Sequence, residues 1–484
     1  MSCKNKPNIL WICTDQQRFD TLGCYGNELI DTPNLNKLAK SGILFENCYS
    51  QSPVCTPSRA SFLTGRYPRT TKCRQNGQSF PEFEENNLVT KILSDNGYTG
   101  GLSGKLHISP ANPSTCKGTE RRVKDGYDVF HWSHHPLDDW PTHEYTSWLK
   151  KQGINYSTSS VEDTEYVKYG MDAEYHQTTW CINKAVNFIE SNKDFDIPWF
   201  FSLNPFDPHH SFDPPREYLN KYRKKLDNIP LPNYKKGELE NKPVFQKIDH
   251  KGGYGGTGFE YEQMTEKDHR LLKASYLAMV DLIDVQMGRL FQKLKDTDQW
   301  DNTIIIFTSD HGEMLGDHAI YWKGPYFYEP AVHVPLIISF PGVIQEGKRS
   351  KTLVELTDLA PTLLDAAGLE INPGIQGKSL WQGLKGEKSL SNHRNSVYSE
   401  YYNAMPWHKN PAAHATMVFN GRYKLVKIHG QNIGELYDLK IDPEETRNLW
   451  QEEKYRSVKI EMLELLSDRM AFTVDPLPER EADW

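Results

Sequence analysis

Three short and mainly apolar runs, each followed by polar residues, constrain the fold of this chain most. They lie at 8–13, 198–203 and 303–308. Short runs of this kind predict strands that are buried on both faces. Helical patterns near 172–192 and 266–296 precede the second and third runs. This alternation of helices and buried strands predicts an α/β sandwich.

The rest of the chain indicates a second, smaller unit. At 484 residues the chain exceeds what one core usually supports. A turn-rich segment at 372–377 follows a helix expected at 357–367, so we place a boundary near 375 and predict domains 1–375 and 376–484. Within the second domain we expect strands at 396–402, 416–419 and 423–427 and a charged helix at about 451–470. Elsewhere, Thr32-Pro33 is expected to open a helix that Gly42 closes, and 334–338 reads as another buried strand.

Polar residues follow the predicted strands and are expected to meet. In open α/β sheets, ligands bind beyond the carboxyl ends of the strands. Asp15, His209 and Asp310 emerge there, together with Lys105 and His107. Alternation along an extended backbone would put Lys105 and His107 on one side. The interval 225–265 has weak periodicity and is expected to be a long insertion over this site.

The segment Cys55–Arg66, with the sequence CTPSRASFLTGR, is the most specific motif. Pro57 suits the first turn of a helix, which puts Cys55 where a loop enters that helix, at the positive end of its dipole. By itself, Cys55 could equally be a buried free cysteine. The segment resembles the signature of type I sulfatases, in which this cysteine is oxidised to formylglycine and its hydrated aldehyde attacks sulfur.

The resemblance implies both a fold and a reaction. The fold is alkaline phosphatase-like: a large mixed central sheet flanked by helices, with a smaller C-terminal α+β domain that carries an antiparallel sheet. The reaction is hydrolysis of a sulfate ester through a covalent sulfo-enzyme intermediate. A formylglycine-generating or sulfatase-maturating enzyme is then a partner of the chain.

A divalent cation is also implied, and its expected ligands are Asp15, Gln16, Cys55 after conversion, Asp310 and His311. Ca²⁺ is the usual ion of the family, and Mg²⁺ and Mn²⁺ stay open. Many sulfatases carry two successive acidic residues where this chain has Asp15-Gln16, and Asp-Gln also occurs in phosphonate monoester hydrolases. An amide keeps an oxygen ligand but removes a charge, and His311 adds a nitrogen, so Mn²⁺ becomes an alternative.

The resemblance assigns the remaining roles. Lys105 and Lys323 would neutralise sulfate oxygens, and His107, in a Gly-Lys-x-His segment, would help to expel sulfate. His209 would protonate the leaving alcohol, since its ordinary pKa of about 6.5 suits a general acid. The expected catalytic residues are Cys55, Arg59, Lys105, His107, His209, Asp310 and Lys323, with Arg59 holding the nucleophile and the carboxylates in place.

A sulfated carbohydrate is the expected substrate. Aromatic and histidine residues lie in loops where they could form sugar subsites, although ordinary loop packing explains such clusters equally well. The candidates are His131, His135, His210, Trp407 and His408. The sequence leaves open the sugar, the sulfate position, exo or endo action and the oligomeric state.

Composition excludes few other functions. The balance of 64 acidic against 56 basic residues, without a long Lys/Arg run, argues against a nucleic-acid partner. No apolar run has the roughly 20 residues needed to span a bilayer. The polar start Met1–Lys6 lacks a signal peptide's apolar region, so the chain as it stands is expected to be cytoplasmic, or periplasmic or secreted if a signal was trimmed.

Two rival functions follow from the same motifs. A phosphonate monoester or phosphodiester hydrolase is favoured by Asp15-Gln16 and His311. A non-catalytic protein that binds sulfated glycans is the alternative if Cys55 stays a thiol. The presence of nucleophile, metal and lysine segments together favours the sulfatase.

Overall fold

In the computed structural model, which describes residues 6–474 apart from 113–115, 117–118, 137–139, 141, 163 and 409, eight strands form one central sheet. Residues 1–5, which carry most of the polar start, and the last ten of the predicted second domain lie outside the described residues. The strands of the central sheet are β1 (Asn8–Thr14), β2 (Gly42–Tyr49), β3 (Thr99–Gly104), β4 (Val129–Trp132), β7 (Trp199–Asn204), β8 (Thr303–Ser309), β9 (His333–Ser339) and β10 (Lys348–Glu355), and a small pair comprises β5 (Ser159–Ser160) and β6 (Lys168–Tyr169).

Helices cover both faces of this sheet. The α-helices of the described residues, not all of which pack on this sheet, are α1 (Pro33–Lys40), α2 (Cys55–Thr64), α3 (Pro68–Thr71), α4 (Val89–Asp95), α5 (Glu144–Lys151), α6 (Gln177–Asn192), α7 (Arg216–Arg223), α8 (Val244–His250), α9 (Gly253–Gly256), α10 (Glu266–Asp296), α11 (Glu329–Val332), α12 (Leu359–Ala366), α13 (Trp381–Leu384) and α14 (Arg456–Phe472). Leu10 and Ile12 of β1 belong to the core formed with α6 and α10, whereas Ile9 and Trp11 pack with α2 and α12. Alternate residues of a buried strand thus serve two helix layers, as the continuous apolar runs predict.

The strand directions decide where the polar residues meet. The order is β10-β2-β9-β8-β1-β7-β3-β4, and β9 runs antiparallel to both of its neighbours. The other strands are parallel, so β1, β2, β3, β7 and β8 all end at one edge of the sheet. Thr14 pairs with Ser309 there, and Gly104 pairs with Asn204. The expected α/β sandwich with a mixed central sheet is confirmed.

A second sheet carries the C-terminal part of the chain. It is antiparallel and comprises β11 (Val397–Tyr402), β12 (His414–Phe419), β13 (Tyr423–Ile428) and β14 (Gly434–Asp438), in that order. Met462 and Leu466 of α14 cover one face, and Met417 on the other face packs into a core shared with Tyr328 of the larger part. Arg69 Nε, also from the larger part, lies 2.8 Å from Glu400 Oε2 of β11. The predicted domain boundary near 375 falls between α12 and α13 and stays a prediction.

Local signals predict some elements better than others. The three apolar runs became β1, β7 and β8, and α14 begins five residues later than expected because a 3-10 turn at Glu453–Tyr455 precedes it. β3 escapes prediction because its sequence, TGGLSG, carries three glycines. A Cβ on Gly100 or Gly101 would lie within 2.5 Å of the Phe200 or Phe201 ring, so glycine is required by neighbours that local patterns do not reveal.

The 225–265 interval forms several short helical turns, among them α8 and α9, rather than one regular element. Part of it reaches the polar edge of the sheet, since Tyr254 Oη lies 3.3 Å from His210 Nε2. Among the described residues, none of the helices is sufficiently long and apolar to cross a bilayer.

Candidate active site

Cys55 is the first residue of α2, as the sequence predicts, and the whole helix is buried. The loop that delivers it follows β2, so the thiol lies at the edge where β1, β3, β7 and β8 also end. Lys323 Nζ is 3.0 Å from the Cys55 sulfur and Lys105 Nζ is 3.4 Å from it. Two ammonium groups therefore face one buried thiol.

Two histidines complete the ring around the thiol. His107 and His209 both lie close enough to Cys55 to interact with its side chain, and His311 Nε2 lies 3.2 Å from its sulfur. Burial would raise the pKa of Cys55, but Lys105, Lys323 and neighbouring histidines lower it well below its ordinary value. The site therefore stabilises negative charge at this position.

The carboxylates lie on the other side of Cys55. Asp15 Oδ1 is 3.7 Å from the sulfur, and Asp310 Oδ1 accepts hydrogen bonds from the backbone N–H groups of Gln16 and His311 at 3.0 and 2.9 Å. Burial, Asp310 and Cys55 raise the pKa of Asp15 to about 6. Burial would also raise the pKa of Asp310, but Arg59 lowers it below its ordinary value.

Arg59 holds these carboxylates from α2. Its Nε donates to Asp310 Oδ2 at 2.8 Å, its second terminal nitrogen lies 3.7 Å from Asp15, and Nη1 donates to the Lys105 carbonyl oxygen at 2.8 Å. The side chain is 1% exposed, so it supports the site from behind. The buttressing role expected for Arg59 stays a prediction.

The residues fit a divalent cation. One ligand atom from each of Asp15, Cys55, Asp310 and His311 lies within 4.8 Å of the others, and all four residues are buried. Asp310 raises the pKa of the neighbouring Asp15, and a bound cation would balance the charge of these two buried carboxylates. Gln16 joins this group through Lys323, whose Nζ donates to Gln16 Oε1 at 2.6 Å. The described residues therefore offer oxygen and nitrogen ligands at one point.

His107 reaches the site by a different backbone path from the one expected. Its φ of +57° is left-handed, so the segment after β3 turns instead of continuing as an extended strand. Glu120 holds this turn, because its carboxylate accepts the backbone N–H groups of His107, Ile108 and Ser109 at 2.6–2.8 Å. The expectation of an extended alternation was wrong, although Lys105 and His107 still face the same thiol.

His209 lies in the loop after β7. Its Nε2 is 3.0 Å from Lys323 Nζ, and its Nδ1 faces the His210 carbonyl oxygen. Burial, His210 and Lys323 lower the pKa of His209 well below its ordinary value, which makes the resting side chain neutral.

The expected sugar-contact residues occupy different places. His210 stacks on Trp322, with ring centroids 4.6 Å apart, and bonds Tyr254. Trp407 stacks on the other side of Tyr254 at 4.6 Å and is 43% exposed. The His210 ring also lies 4.0 Å from the His209 ring, so His210, Tyr254 and Trp407 form a path of rings that leads from His209 to solvent.

The other three candidates have partners within the protein. His135 lies beside Phe206, and burial followed by Lys105 lowers its pKa to about 4. His131 Nδ1 lies 2.8 Å from Glu144 Oε2. His408 is buried, with one ring nitrogen 3.1 Å from Tyr401 Oη and the other 2.9 Å from Asp249. The ring of His408 is enclosed by its own neighbours, and a sugar contact for it stays a prediction.

Sequence patterns missed three residues of this region. Glu313 lies in the Asp310–Glu313 run and bonds the Gln16 amide, while Tyr254 lies in a glycine-rich stretch, GGYGG. Glu120 has no surrounding motif at all. Glu313 and Tyr254 had usable signals, because Glu313 is a carboxylate close to expected ligands and Tyr254 is an aromatic residue among glycines. Glu120 is recognised only by the backbone N–H groups that it accepts.

Comparison with known proteins identifies relatives that are similar over most of the chain. The sulfatase family profile matches residues 7–369, and a profile described as N-sulphoglucosamine sulphohydrolase, C-terminal, matches residues 316–471. An arylsulfatase of Clostridium perfringens is 31% identical over 93% of this chain and 92% of its own length. An N-acetylglucosamine-6-O-sulfatase of Bacteroides thetaiotaomicron is 27% identical over 98% of this chain and 88% of its own.

Among solved structures, the phosphonate monoester hydrolase SpPMH from Silicibacter pomeroyi is similar with a TM-score of 0.83 and 25% identity, over 97% of this chain and 96% of that one. The profile covers most of the chain, and the arylsulfatase is similar over almost its whole length. On this evidence, the chain belongs to the sulfatase family and is a sulfuric ester hydrolase.

Proposed function

We propose that this enzyme hydrolyses O-linked sulfate esters of a saccharide by means of formylglycine made from Cys55. The observation that carries the proposal is the convergence of Lys105, Lys323, His107 and His209 on the Cys55 side chain. The Cys55 sulfur occupies the position that the hydroxyls of the hydrated aldehyde would take after conversion. The two lysine ammonium groups can neutralise the sulfate oxygens, and the two histidines can carry out the two proton transfers.

The first half of the reaction transfers the sulfo group. One hydroxyl of the hydrate gives its proton to Asp310, and its oxygen bonds to sulfur as the ester S–O bond breaks. Lys105 and Lys323 neutralise the charge that develops on the oxygens. His209 gives a proton to the leaving alcohol, and the negative charge of the bound ester favours the protonated form that this step requires.

The second half regenerates the aldehyde. His107 takes the proton of the remaining hydroxyl, the C–O bond to sulfate breaks, and inorganic sulfate leaves; water then restores the hydrate. Burial and Lys105 lower the pKa of His107 to about 4, so the ring is neutral near pH 7 and accepts a proton. A serine or cysteine has no second hydroxyl with which to expel sulfate, and this is the reason for the conversion of Cys55 to formylglycine.

Asp15, Gln16, Asp310 and His311, together with an oxygen of converted Cys55, would hold the divalent cation. When bound, the cation supplies positive charge that stabilises the nucleophilic oxygen, and Ca²⁺ is the expected ion with Mg²⁺ and Mn²⁺ as alternatives. Cys55 is 1% exposed in the folded protein, so a formylglycine-generating or sulfatase-maturating enzyme must reach it before α2 packs.

The test of this function is chemical. We expect the tryptic peptide that contains Cys55, from a host with a converting enzyme, to carry an aldehyde by mass and by reaction with an aldehyde probe. We also expect faster turnover of an aryl sulfate than of the matched aryl phosphonate monoester or phosphodiester. Faster turnover of the phosphonate ester would favour the second candidate, which the similarity to the Silicibacter enzyme and Asp15-Gln16 support. An unconverted thiol without turnover would favour the glycan-binding alternative.

The saccharide part of the proposal is tested at Trp407. The similarity to an N-acetylglucosamine-6-O-sulfatase and the ring path from His210 through Tyr254 support a sugar that lies against this exposed face. Because aromatic contacts contribute about 0.5–1.5 kcal/mol, we expect Trp407→Ala to raise KM for a sulfated oligosaccharide by up to about tenfold. KM for a small aryl sulfate should stay unchanged.

Phe195→Ala is the control, because Phe195 is also an exposed aromatic residue but lies in the turn before β7, at the opposite edge of the sheet. It should change neither KM. An equal rise of KM for both substrates in Trp407→Ala would contradict the sugar contact.

A further inference from the structure

The side-chain amide of Gln16 lies between an ammonium group and a carboxylate. Lys323 Nζ donates to Gln16 Oε1 at 2.6 Å, and Gln16 Nε2 donates to Glu313 Oε2. The same nitrogen lies 3.4 Å from His210 Nδ1. An ammonium group only donates and an ionised carboxylate only accepts, so these neighbours determine which end of the amide carries oxygen.

Glu313 is itself held in one orientation. Its Oε1 accepts the backbone N–H groups of Leu315 at 2.9 Å and Trp322 at 2.5 Å, and the residue is fully buried. Only Oε2 is left for the Gln16 amide. The carboxylate therefore connects the segment after β1 with the loop that carries Lys323.

The amide oxygen points to the centre of the site. Lys323 Nζ, which contacts it, is also 3.0 Å from the Cys55 sulfur and 3.3 Å from His311 Nε2. Gln16 Oε1 therefore converges on the same point as two of the expected metal ligands. If the amide turned over, its NH₂ group would face Lys323 and the cation, and neither can accept a hydrogen bond.

We propose that Glu313 is a positioning residue, which orients the Gln16 amide so that its oxygen is presented to the divalent cation and to Lys323. This inference rests on the metal site of the proposed function. It also explains how a chain with Asp15-Gln16, in place of two carboxylates, keeps an oxygen ligand at the second position. The Glu313 carboxylate accepts a hydrogen bond from the NH₂ group of the amide, so the amide oxygen is directed to the cation.

The test exchanges the two groups. Glu313→Gln keeps size and can accept both backbone N–H groups, but it then presents NH₂ to the Gln16 NH₂ group, so the Gln16 amide has to turn over. Gln16→Glu sets two buried carboxylates against each other. The double variant Gln16→Glu/Glu313→Gln restores a donor opposite an acceptor with unchanged net charge. The matched control is Glu435→Gln, because Glu435 is a buried carboxylate in β14 that accepts the Gln246 amide at 3.0 Å.

The measurement is calorimetric titration with Mn²⁺ and Ca²⁺ of protein whose Cys55 is left as a thiol, so that the result does not depend on turnover. Thermal unfolding verifies that each variant folds. We expect Glu313→Gln to weaken metal binding by about tenfold or more, as changes to groups behind metal ligands do. Gln16→Glu should weaken it as well, because the new carboxylate is repelled by Glu313. The double variant should recover most of this loss, and Glu435→Gln should bind metal like the unaltered protein.

The outcomes separate the inference from the function on which it rests. Unaltered protein that binds neither ion would overturn both. Metal binding that is intact in the unaltered protein and in Glu313→Gln would overturn the positioning role alone. A double variant as weak as Glu313→Gln would also overturn it, since loss without recovery is what a merely structural carboxylate predicts.

Discussion

Cys55→Ala is expected to lower kcat on an aryl sulfate by about 10⁴-fold or more, because a catalytic nucleophile acts as a unit with its neighbours and leaves little activity when removed. Lys105 and Lys323 would still bind the sulfate group, so KM should change far less than kcat. The cause is chemical, since α2 tolerates alanine well.

Cys55→Ser, made in a host without a converting enzyme, should behave differently. A serine hydroxyl beside Lys323 can attack sulfur once, but it has no second hydroxyl with which to expel sulfate. We therefore expect one equivalent of alcohol to be released, followed by arrest, with a sulfated Ser at position 55 detectable by mass. Steady turnover by this variant would contradict the role assigned to the second hydroxyl.

Cys181→Ala is the matched control for both variants. Cys181 is a buried cysteine in α6, and its replacement removes a thiol from the core without altering the site. It should retain native kcat and KM. Loss of kcat in this control would show that the measured losses come from packing rather than from the nucleophile.

Lys323→Met is expected to lower kcat by about 10²- to 10³-fold, the usual effect of removing one preorganised group that stabilises developing charge. Lys323 contacts the Cys55 sulfur, His209 and Gln16, so it faces both the nucleophile and the acid that serves the leaving group. The loss should be largest for esters of weakly acidic alcohols, whose oxygens carry most charge as the bond breaks.

A series of aryl sulfates with leaving groups of different acidity measures this effect. The dependence of log kcat on the leaving-group pKa should become steeper in Lys323→Met. Lys242→Met is the control, because Lys242 is also a buried lysine but lies beside Glu238 and His318. It should leave the slope unchanged. An unchanged slope in Lys323→Met would assign Lys323 to binding alone.

Much of the site could be predicted because its signals are local. The apolar run at 8–13 is followed by Thr14 and Asp15, and the run at 303–308 is followed by Ser309 and Asp310. Pro57 lies in the first turn of the helix that begins with Cys55. Buried strands and helix starts depend on a few consecutive residues, so their positions can be read directly. Since parallel strands share an edge, even the meeting of these residues follows once the sheet is assumed.

Other features depend on which surfaces meet. β3 exists because glycines fit beneath two phenylalanine rings, and His408 is enclosed by Asp249 and Tyr401, which lie in other segments. No local pattern distinguishes a buried histidine from one that lines a pocket. For this reason the sequence did not reveal the enclosure of His408 and missed β3.

The sequence by itself determined the α/β class, the Cys55 motif and the strand ends that carry the acidic residues, because periodicity, apolar runs and turn chemistry are properties of neighbouring residues. Only the tertiary structure decided that Glu313 orients Gln16, that Glu120 holds the turn of His107 and that Tyr254 joins His210 to Trp407. The physical reason is that a hydrogen bond between residues 16 and 313 depends on the packing of β1 beside β8, and this packing is a property of the whole sheet.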